Sequence, residues 1–508
     1  MPAIQLLSGA YEAQGYIANA QRSLNLYAEI NPKETTNFEA STSTQPVTHY
    51  PRPGLNLLAA SPVQGRGRGL FSSSQGQLFA VIDQVIYYID ANWGFTALGS
   101  LLTPGTTPVY MSDNGSNAIV VDGDDSANNI DLTQSPPVMT VIGDPNFLGS
   151  TRADFLDYFI ILNQPDTNKW YCTLSNQIAF NALYIGQKTA SPDKIRCVLA
   201  IERQALILGH RKSEVWFNAG AVPFPFQIVP GVIIEQGCVA AYSAAKMDTN
   251  AYWLSESPEG DRLAMRCDNR NVAQRISTHA IEFEWKKYGR VDDAIGSTFQ
   301  INGHSFYQLH FPTMDKTWVF DEATKQWAQW AWIDTNGNLH RSRDTFHAYA
   351  YNKTVALDWA TGSLYEVTST ALTDNGVPIV WIRSFPHVVN ELKYINQACF
   401  VADVETGTTP GTSETTQTLS PWSSGFSSGF GPLTYVAAPT VNLRVSRDGG
   451  VTWGNNRPKQ RISAGYYRSM MRWRANGLAR DMVFELGSTA EMSGALQGAY
   501  IDPIMATS

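Results

Sequence analysis

One repeated hairpin restricts this chain more than any other feature. From about residue 65 the sequence returns to a short apolar strand, a polar turn and a second apolar strand. The pairs are LFAVIDQVIYYID at 78–90, AIVVDGDDSANNIDL from Ala118, YFIILNQPDTNKWYCT from Tyr158, ALILGHRKSEVWFNA from Ala205, AYWLSESPEGDRLAMRC from Ala251, SFYQLHFPTMDKTWVFD from Ser305 and KTVALDWATGSLYEV from Lys353. The leading strands centre near Ala80, Val120, Ile160, Ile207, Trp253, Gln308 and Ala356, with spacings of about 40, 40, 47, 46, 55 and 48 residues. A period of roughly 40–50 residues built on β-hairpins is the mark of a β-propeller. One four-stranded blade cannot bury both of its faces, whereas blades stacked around an axis bury them and protect their edges. Seven hairpins therefore predict an all-β fold with a six- or seven-bladed propeller. The competing reading, a string of β-sandwiches, would be less regular.

The rest of the composition agrees. Only 16% of the 508 residues are charged and 43% are apolar, which excludes a disordered chain. Few stretches keep an apolar i, i+3, i+4 pattern for three turns. The first residues, MPAIQLLSGAYEAQG, lack a basic stretch followed by a long apolar one, so no secretory signal is expected and synthesis is expected in a cytoplasm. No apolar run reaches the roughly 18 residues of a membrane span. Cys172, Cys197, Cys238, Cys267 and Cys399 lie far apart with no CxxC pair, and read as reduced, buried small apolar residues.

Two segments stand outside the repeat, giving an expected arm at 1–60, a propeller at 61–370 and a C-terminal β domain at 371–508. Within the last, residues 405–437 are rich in Ser, Thr and Gly, with SSGF in tandem and the aromatics Trp422, Phe426 and Phe430. That composition predicts a long exposed loop, either mobile or ordered against a partner. Charge is also uneven. Residues 441–508 hold nine Arg/Lys against five Asp/Glu, a net of +4, which leaves −12 of the total −8 for residues 1–440. So acidic a body is poorly suited to gripping duplex DNA through its phosphates. The basic end suits an acidic protein partner.

No metalloprotease, nucleophile-elbow, phosphate-loop or dinucleotide motif occurs. His304 and His310 have no nearby third ligand and read as structural. The Gly65-Arg66-Gly67-Arg68-Gly69 run lacks the strand and helix that a phosphate cradle needs, and reads as a turn into the first blade. Asp122, Asp124 and Asp125 lack a calcium-loop spacing and read as a solvated turn. No cofactor or metal is expected and no catalytic residue stands out.

One motif is specific. Residues 446–453, SRDGGVTW, match the Asp-box hairpin SxDxGxTW found in sialidases and other propellers, here with Ser446, Asp448, Gly450, Thr452 and Trp453. Asp448 is placed to accept hydrogen bonds from turn backbone, the glycines permit positive φ, and Trp453 packs beneath. The motif raises an alternative, a glycan-binding or sialidase-like glycan-hydrolysing propeller. Such an enzyme needs paired carboxylates, or a Tyr/Glu nucleophile with an arginine clamp. A single Asp-box after the repeats, with no carboxylate pair marked by spacing, argues for a structural role, and the chain is read as a non-enzyme.

Several patches in order resemble the packaged-DNA stabilisation proteins, or tail hub/nozzle proteins, of P22-like short-tailed bacteriophages. They are SLNLYAE at 23–29 with its NxYxE element, YPRPGL at 50–55 followed by Gly67-Arg68-Gly69, EQGCVAAYS at 235–243 leading to Trp253-Leu254, and RIST at 275–278. The Asp-box then precedes Arg472-Trp473-Arg474, Gly477, Ala479-Arg480-Asp481 and VFEL at 483–486. The 405–437 insertion matches no part of that pattern. The resemblance implies a homohexameric ring in the virion tail, below the portal and its head-to-tail adaptor. The ring would continue the DNA channel, retain packaged DNA, conduct it at ejection, and touch a tail fibre or spike and a needle or plug protein. The terminal regions would form the platform facing the adaptor. On this reading an acidic wall lets double-stranded DNA slide without sequence-specific contact, and Arg461, Arg468, Arg472 and Arg474 dock on an acidic adaptor rim. Two rivals remain: nucleic-acid binding by arginines interleaved with Tyr466, Tyr467 and Trp473, and a glycan-binding tail lectin of trimeric or monomeric form.

Overall fold

Each hairpin of the repeat forms the second and third strands of a four-stranded antiparallel sheet. In the computed structural model these sheets run over residues 67–100, 110–141, 153–187, 195–234, 245–275 and 295–333. A seventh has Asp344–Ala350, Lys353–Asp358 and Leu364–Thr368 in order, with Gly54–Ala59 added beside the last. The structure describes residues 4–6, 21–30, 47–334, 336–389, 393–405, 440–460, 468–488 and 495–505. The chain divides into two units, Leu55–Ala371 and the pair Met1–Gly54 with Leu372–Ser508. Residues 54–59, at the junction of the two units in the chain, are a strand of the seventh sheet.

Local chemistry sets the hairpins. Asn302-Gly303 (φ 52° and 80°), Asp157-Tyr158 (45° and 72°) and Tyr351-Asn352 (51° and 61°) are two-residue turns with both residues at positive φ, each joining a first strand to a second. This turn type matches the twist of antiparallel strands and favours Asn, Asp and Gly. The longest spacing, between the fifth and sixth hairpins, holds the helix His279–Lys286, whose Trp285 packs against Trp327 and Phe311 with ring centroids 5.5 Å apart in both cases.

The second strands are continuous apolar runs because both faces are covered. In Leu78–Ile82, Phe79 and Val81 pack with Val109, Met111 and Val120 of the second sheet. Leu78, Ala80 and Ile82 point the other way, into Phe346, Val355, Leu357 and Leu364 of the seventh. The first sheet therefore packs on the last and the ring closes. The same alternation joins the second sheet to the third, the third to the fourth, the fourth to the fifth and the fifth to the sixth. A fully buried Leu, Ile or Phe contributes roughly 1.5–3 kcal/mol in such a core. Cys172, Cys197, Cys238 and Cys267 are buried in these clusters as free thiols, and Cys399 is half-buried.

The other unit draws strands from both ends of the chain. One sheet has the order Leu26–Ile30, Val47–Pro51, Leu496–Met505, Ile395–Glu405, Arg468–Arg474. A second layer runs Trp381–Ser384, Asp481–Ser488, Thr440–Ser446, Arg457–Gln460, with Ser23–Leu24 paired to its first strand. Phe400 and Trp473 from the first layer meet Phe484 and Leu443 from the second in one core, with the Phe400 and Phe484 rings stacked at 4.9 Å. A buried polar knot ties the N-terminal residues to the C-terminal ones. Arg52 Nε donates to Asn25 Oδ1 (3.0 Å), its Nη1 donates to Asp374 Oδ1 (3.1 Å), and Asn25 Nδ2 donates to Val380 O (2.7 Å). The two polar residues that open the resemblance pattern, in SLNLYAE and YPRPGL, are partners in this knot.

Candidate functional site

In the propeller unit the first strand of every sheet runs outward from the same mouth. Residues at the start of those strands, with loops between second and third strands, line a funnel of about 710 Å³. The 3-10 turn Ala241–Ser243 crosses its floor. The Tyr110 hydroxyl donates to Tyr242 O (3.1 Å), the Tyr307 hydroxyl donates to Ser243 O (2.8 Å), and Arg152 donates to Ala244 O. Tyr110 and Tyr242 stack with centroids 6.1 Å apart and 6° between planes. Arg152 sits 4.3 Å over the Tyr110 ring. The turn, which leads into the fifth sheet, is thus bonded to the second, third and sixth, and Tyr242 packs on the cluster joining the first and seventh. The axis is closed at this level. Ala241–Ser243 come from the EQGCVAAYS patch, and two of the three joining carbonyls, Tyr242 O and Ser243 O, are its own.

The Gly65–Gly69 run is the seam of the ring. A Cβ on Gly67 would lie 2.4 Å from Asp358 O of the seventh sheet, and one on Gly69 would lie 2.4 Å from Val109 O at the second. Between them Arg68 is buried, donating from Nε to Thr107 O (2.7 Å) and from Nη1 to Asp83 O (2.8 Å). Glycine is required here by close backbone approach. His304 Nδ1 is 2.8 Å from Asp321 Oδ2, and buried His310, its pKa lowered by desolvation to about 3, is 2.9 Å from Thr317 Oγ1. Asp122 accepts from Asp124 N (3.2 Å) in a turn. Among the described residues no cluster of His, Cys, Asp or Glu could hold a metal.

The Asp-box lies in the other unit, at the tip joining Thr440–Ser446 to Arg457–Gln460. Thr452 donates from N to Asp448 Oδ1 (2.9 Å) and from Oγ1 to Oδ2 (2.5 Å), and Ser446 Oγ donates to Oδ1 (2.7 Å). Those bonds, the Thr452 hydroxyl first, pull the Asp448 carboxyl down to about 2. Gly449 and Gly450 have φ of 70° and 92°, and Gly450 N donates to Ser446 Oγ (2.8 Å). Trp453 is half-buried, 5.4 Å from the Arg444 guanidinium. The Ser446, Asp448 and Thr452 side chains are thus bonded to one another within the turn.

Beside it lies a basic groove of about 430 Å³, lined by Arg457, Pro458, Lys459, Arg472, Trp473 and Arg474. Strand alternation builds it: Arg472 and Arg474 point outward while Met471 and Trp473 point into the core. Trp473 Nε1 donates to Arg457 O (2.8 Å), and Arg457 Nη1 donates to Asn476 Oδ1 (2.7 Å). Of the other basic residues, Arg444 is paired with Glu485, Arg447 donates to Asn476 O (3.1 Å), and Arg480 covers Tyr394 at 4.7 Å. The structure therefore brings Arg472 and Arg474 together with Arg457 and Lys459, two residues the sequence reading left out. Their i, i+2 spacing in a β-run, the same as that of Arg472 and Arg474, was the available signal. Arg468 lies on the same strand, opposite Glu405. Arg461, Tyr466 and Tyr467, and the loop aromatics Trp422, Phe426 and Phe430, lie outside the described residues.

Among solved structures, the WD40 β-propeller domain of Doa1 is 11% identical, covering 62% of this chain and 96% of that one, at a TM-score of 0.38. A streptogramin B lyase structure is 9% identical, covering 62% and 98%, at a TM-score of 0.42. At these scores the likenesses carry no argument about this chain. No curated protein matches the sequence. The phage-stabilisation family model described as "Bacteriophage P22 Gp10, beta-propeller" matches residues 6–372, most of the chain and all seven sheets. This protein is a β-propeller member of the bacteriophage P22 Gp10 family of phage structural proteins.

Proposed function

We propose that the protein is a tail nozzle subunit. Six copies form a ring below the portal and its adaptor, continue the DNA channel, hold packaged DNA and conduct it at ejection. The observation that carries this reading beyond family membership is the basic groove of Arg457, Lys459, Arg472 and Arg474 on a chain that is otherwise acidic. Four clustered cations with no carboxylate ion-paired to them among the described residues suit an acidic protein rim, where charge complementarity sets partner choice and on-rate. The acidic remainder disfavours adhesion to duplex phosphate, so DNA slides. The closed propeller axis supports an assembly as well, because a passage for a duplex then has to lie between subunits. The tail fibre or spike and the needle or plug protein are further partners on this reading.

The test replaces Lys459, Arg472 and Arg474 by Glu and images the protein with the portal–adaptor complex. The wild type is expected to stack on that complex as six-fold rings. The triple variant is expected to stay off it while melting at the wild-type temperature. Unchanged docking by the variant would sink the groove as the adaptor contact, and a wild type that stays monomeric would sink the nozzle itself. A salt-dependent shift of duplex DNA by the isolated chain, lost in the variant, would turn the groove over to nucleic acid.

A further inference from the structure

The propeller funnel holds more unpaired hydrogen-bonding capacity than a structural mouth needs. Arg341 is 6% exposed, and its guanidinium lies 3.7 Å over the Trp359 ring. Among the described residues that guanidinium makes no hydrogen bond or ion pair, and its Nη1 is a buried donor with no partner. Five more lining residues share this state: Asn163 Nδ2, Arg196 Nε, Thr345 Oγ1, Trp359 Nε1 and Asp293 Oδ1 are all buried and unpaired. A buried donor or acceptor left unpaired is destabilising, so each calls for a ligand or an ordered water.

Charge bookkeeping gives the ligand its sign. The funnel's other acids are spoken for: Asp292 by Arg290 (2.6 Å), Asp315 by His340 (2.6 Å) and Asp166 by Lys194 (3.0 Å). Asp293 accepts from Thr313 through Oδ2 (2.6 Å and 2.9 Å) and keeps Oδ1 unused. On the cationic side, the side chains of Arg66, Arg196 and Arg341 have no hydrogen-bonded or ion-paired partner among the described residues. Burial draws the Arg341 guanidinium down to about 10, with Arg66 pressing in the same direction and the nearby aspartates opposing. What stays open is a cluster of donors with one acceptor.

We propose that the funnel binds a small oxyanion that also carries a hydroxyl, such as an acidic sugar or a sugar phosphate. Arg341, Arg196 and Arg66 face the anionic group, and Asp293 takes the hydroxyl. Planar guanidinium groups pair two-pronged with carboxylate and phosphate alike. The Arg341–Trp359 stack holds one of them rigid, and rigidity lowers the entropy cost of binding. The Tyr110–Tyr242 floor limits the ligand to one that enters and leaves by the mouth. This inference is independent of the nozzle reading, since the adaptor groove is in the other unit.

The test is calorimetric titration and thermal shift on the full chain with glucuronate, glucose 6-phosphate, inorganic phosphate and glucose. Glucuronate or glucose 6-phosphate is expected to raise Tm in a saturable way, and glucose is not. Which of the two binds tells carboxylate from phosphate. Arg66→Gln and Arg196→Gln, at exposed and half-buried positions, are expected to leave the ligand-free Tm unchanged while weakening binding at least tenfold. Arg341→Lys should abolish it, with the other two variants covering the case in which this one does not fold. Absence of a saturable response to either sugar anion, or an equal response in all variants, overturns the proposal. So does a crystal structure in which ordered water alone satisfies the six atoms while the titrations are silent. Inorganic phosphate binding without either sugar would overturn the hydroxyl and the role given to Asp293.

Discussion

In the propeller unit each sheet is buried on both faces by two neighbours, and in the first six sheets the four strands are nearly consecutive in the chain. In the sandwich-like unit each layer buries one face, and its strands come from residues 4–51 and 381–505. The first arrangement is assembled from local hairpins and needs one long-range event, the closure of the seventh sheet on the first. The second is long-range throughout, and it depends on side chains such as Arg52 and Asp374 that tie one chain end to the other. The propeller's weak points should therefore be its seam, and the sandwich's should be the polar knot.

The largest effect is expected from Arg52→Ala. It breaks the buried Arg52–Asp374 ion pair by removing one partner, which costs roughly 3–5 kcal/mol. Hydrogen exchange should show protection lost across 381–384 and 481–488 while 78–82 and 205–209 keep theirs. Equal loss in both sets would mean that the two units unfold as one and that the contrast has no energetic content.

Gly67→Val comes next. Its Cβ would press on Asp358 O at 2.4 Å and on the Leu357 side chain at 2.8 Å. Such overpacking costs roughly 1–3 kcal/mol, read as a lower denaturation midpoint of the propeller signal. Gly143→Ala, with nothing within 4 Å, is the matched control and should move the midpoint little. A seam substitution as mild as the control would show that the ring is held elsewhere.

The smallest effect concerns the Asp-box. The Asp448 carboxyl is depressed from 3.8 to about 2, so its contribution is complete above the unfolded value and fades as pH falls through the folded one. The Thr452 amide resonance should titrate with a midpoint near 2 in the wild type and should not titrate in Asp448→Asn. A midpoint near 3.8 would mean that the hairpin bonds do not persist in solution.

Much of the propeller was legible in the sequence. All seven hairpins fall on second and third strands, because an apolar run covered on both faces and a turn rich in Asn, Asp and Gly are local properties. The Asp-box was legible for the same reason, since Ser446, Asp448 and Thr452 satisfy one another within seven residues. Half of the basic groove could be named, Arg472 and Arg474 being conspicuous as charges. Arg457 and Lys459 were missed because strand pairing, and not sequence distance, sets them beside the others.

What the sequence determined by itself is the repeat: hairpin positions, their turns and an all-β propeller. Tertiary structure decided the rest. It gave strand Gly54–Ala59 to the seventh sheet, and it carried the Ala241–Ser243 turn across the axis. It also gathered Arg66, Arg196, Arg341 and Trp359, spread over almost 300 residues, around one funnel. The physical reason is range. A turn or an alternating strand is fixed by neighbours a few residues away, whereas a ring has no inside until its last sheet meets its first.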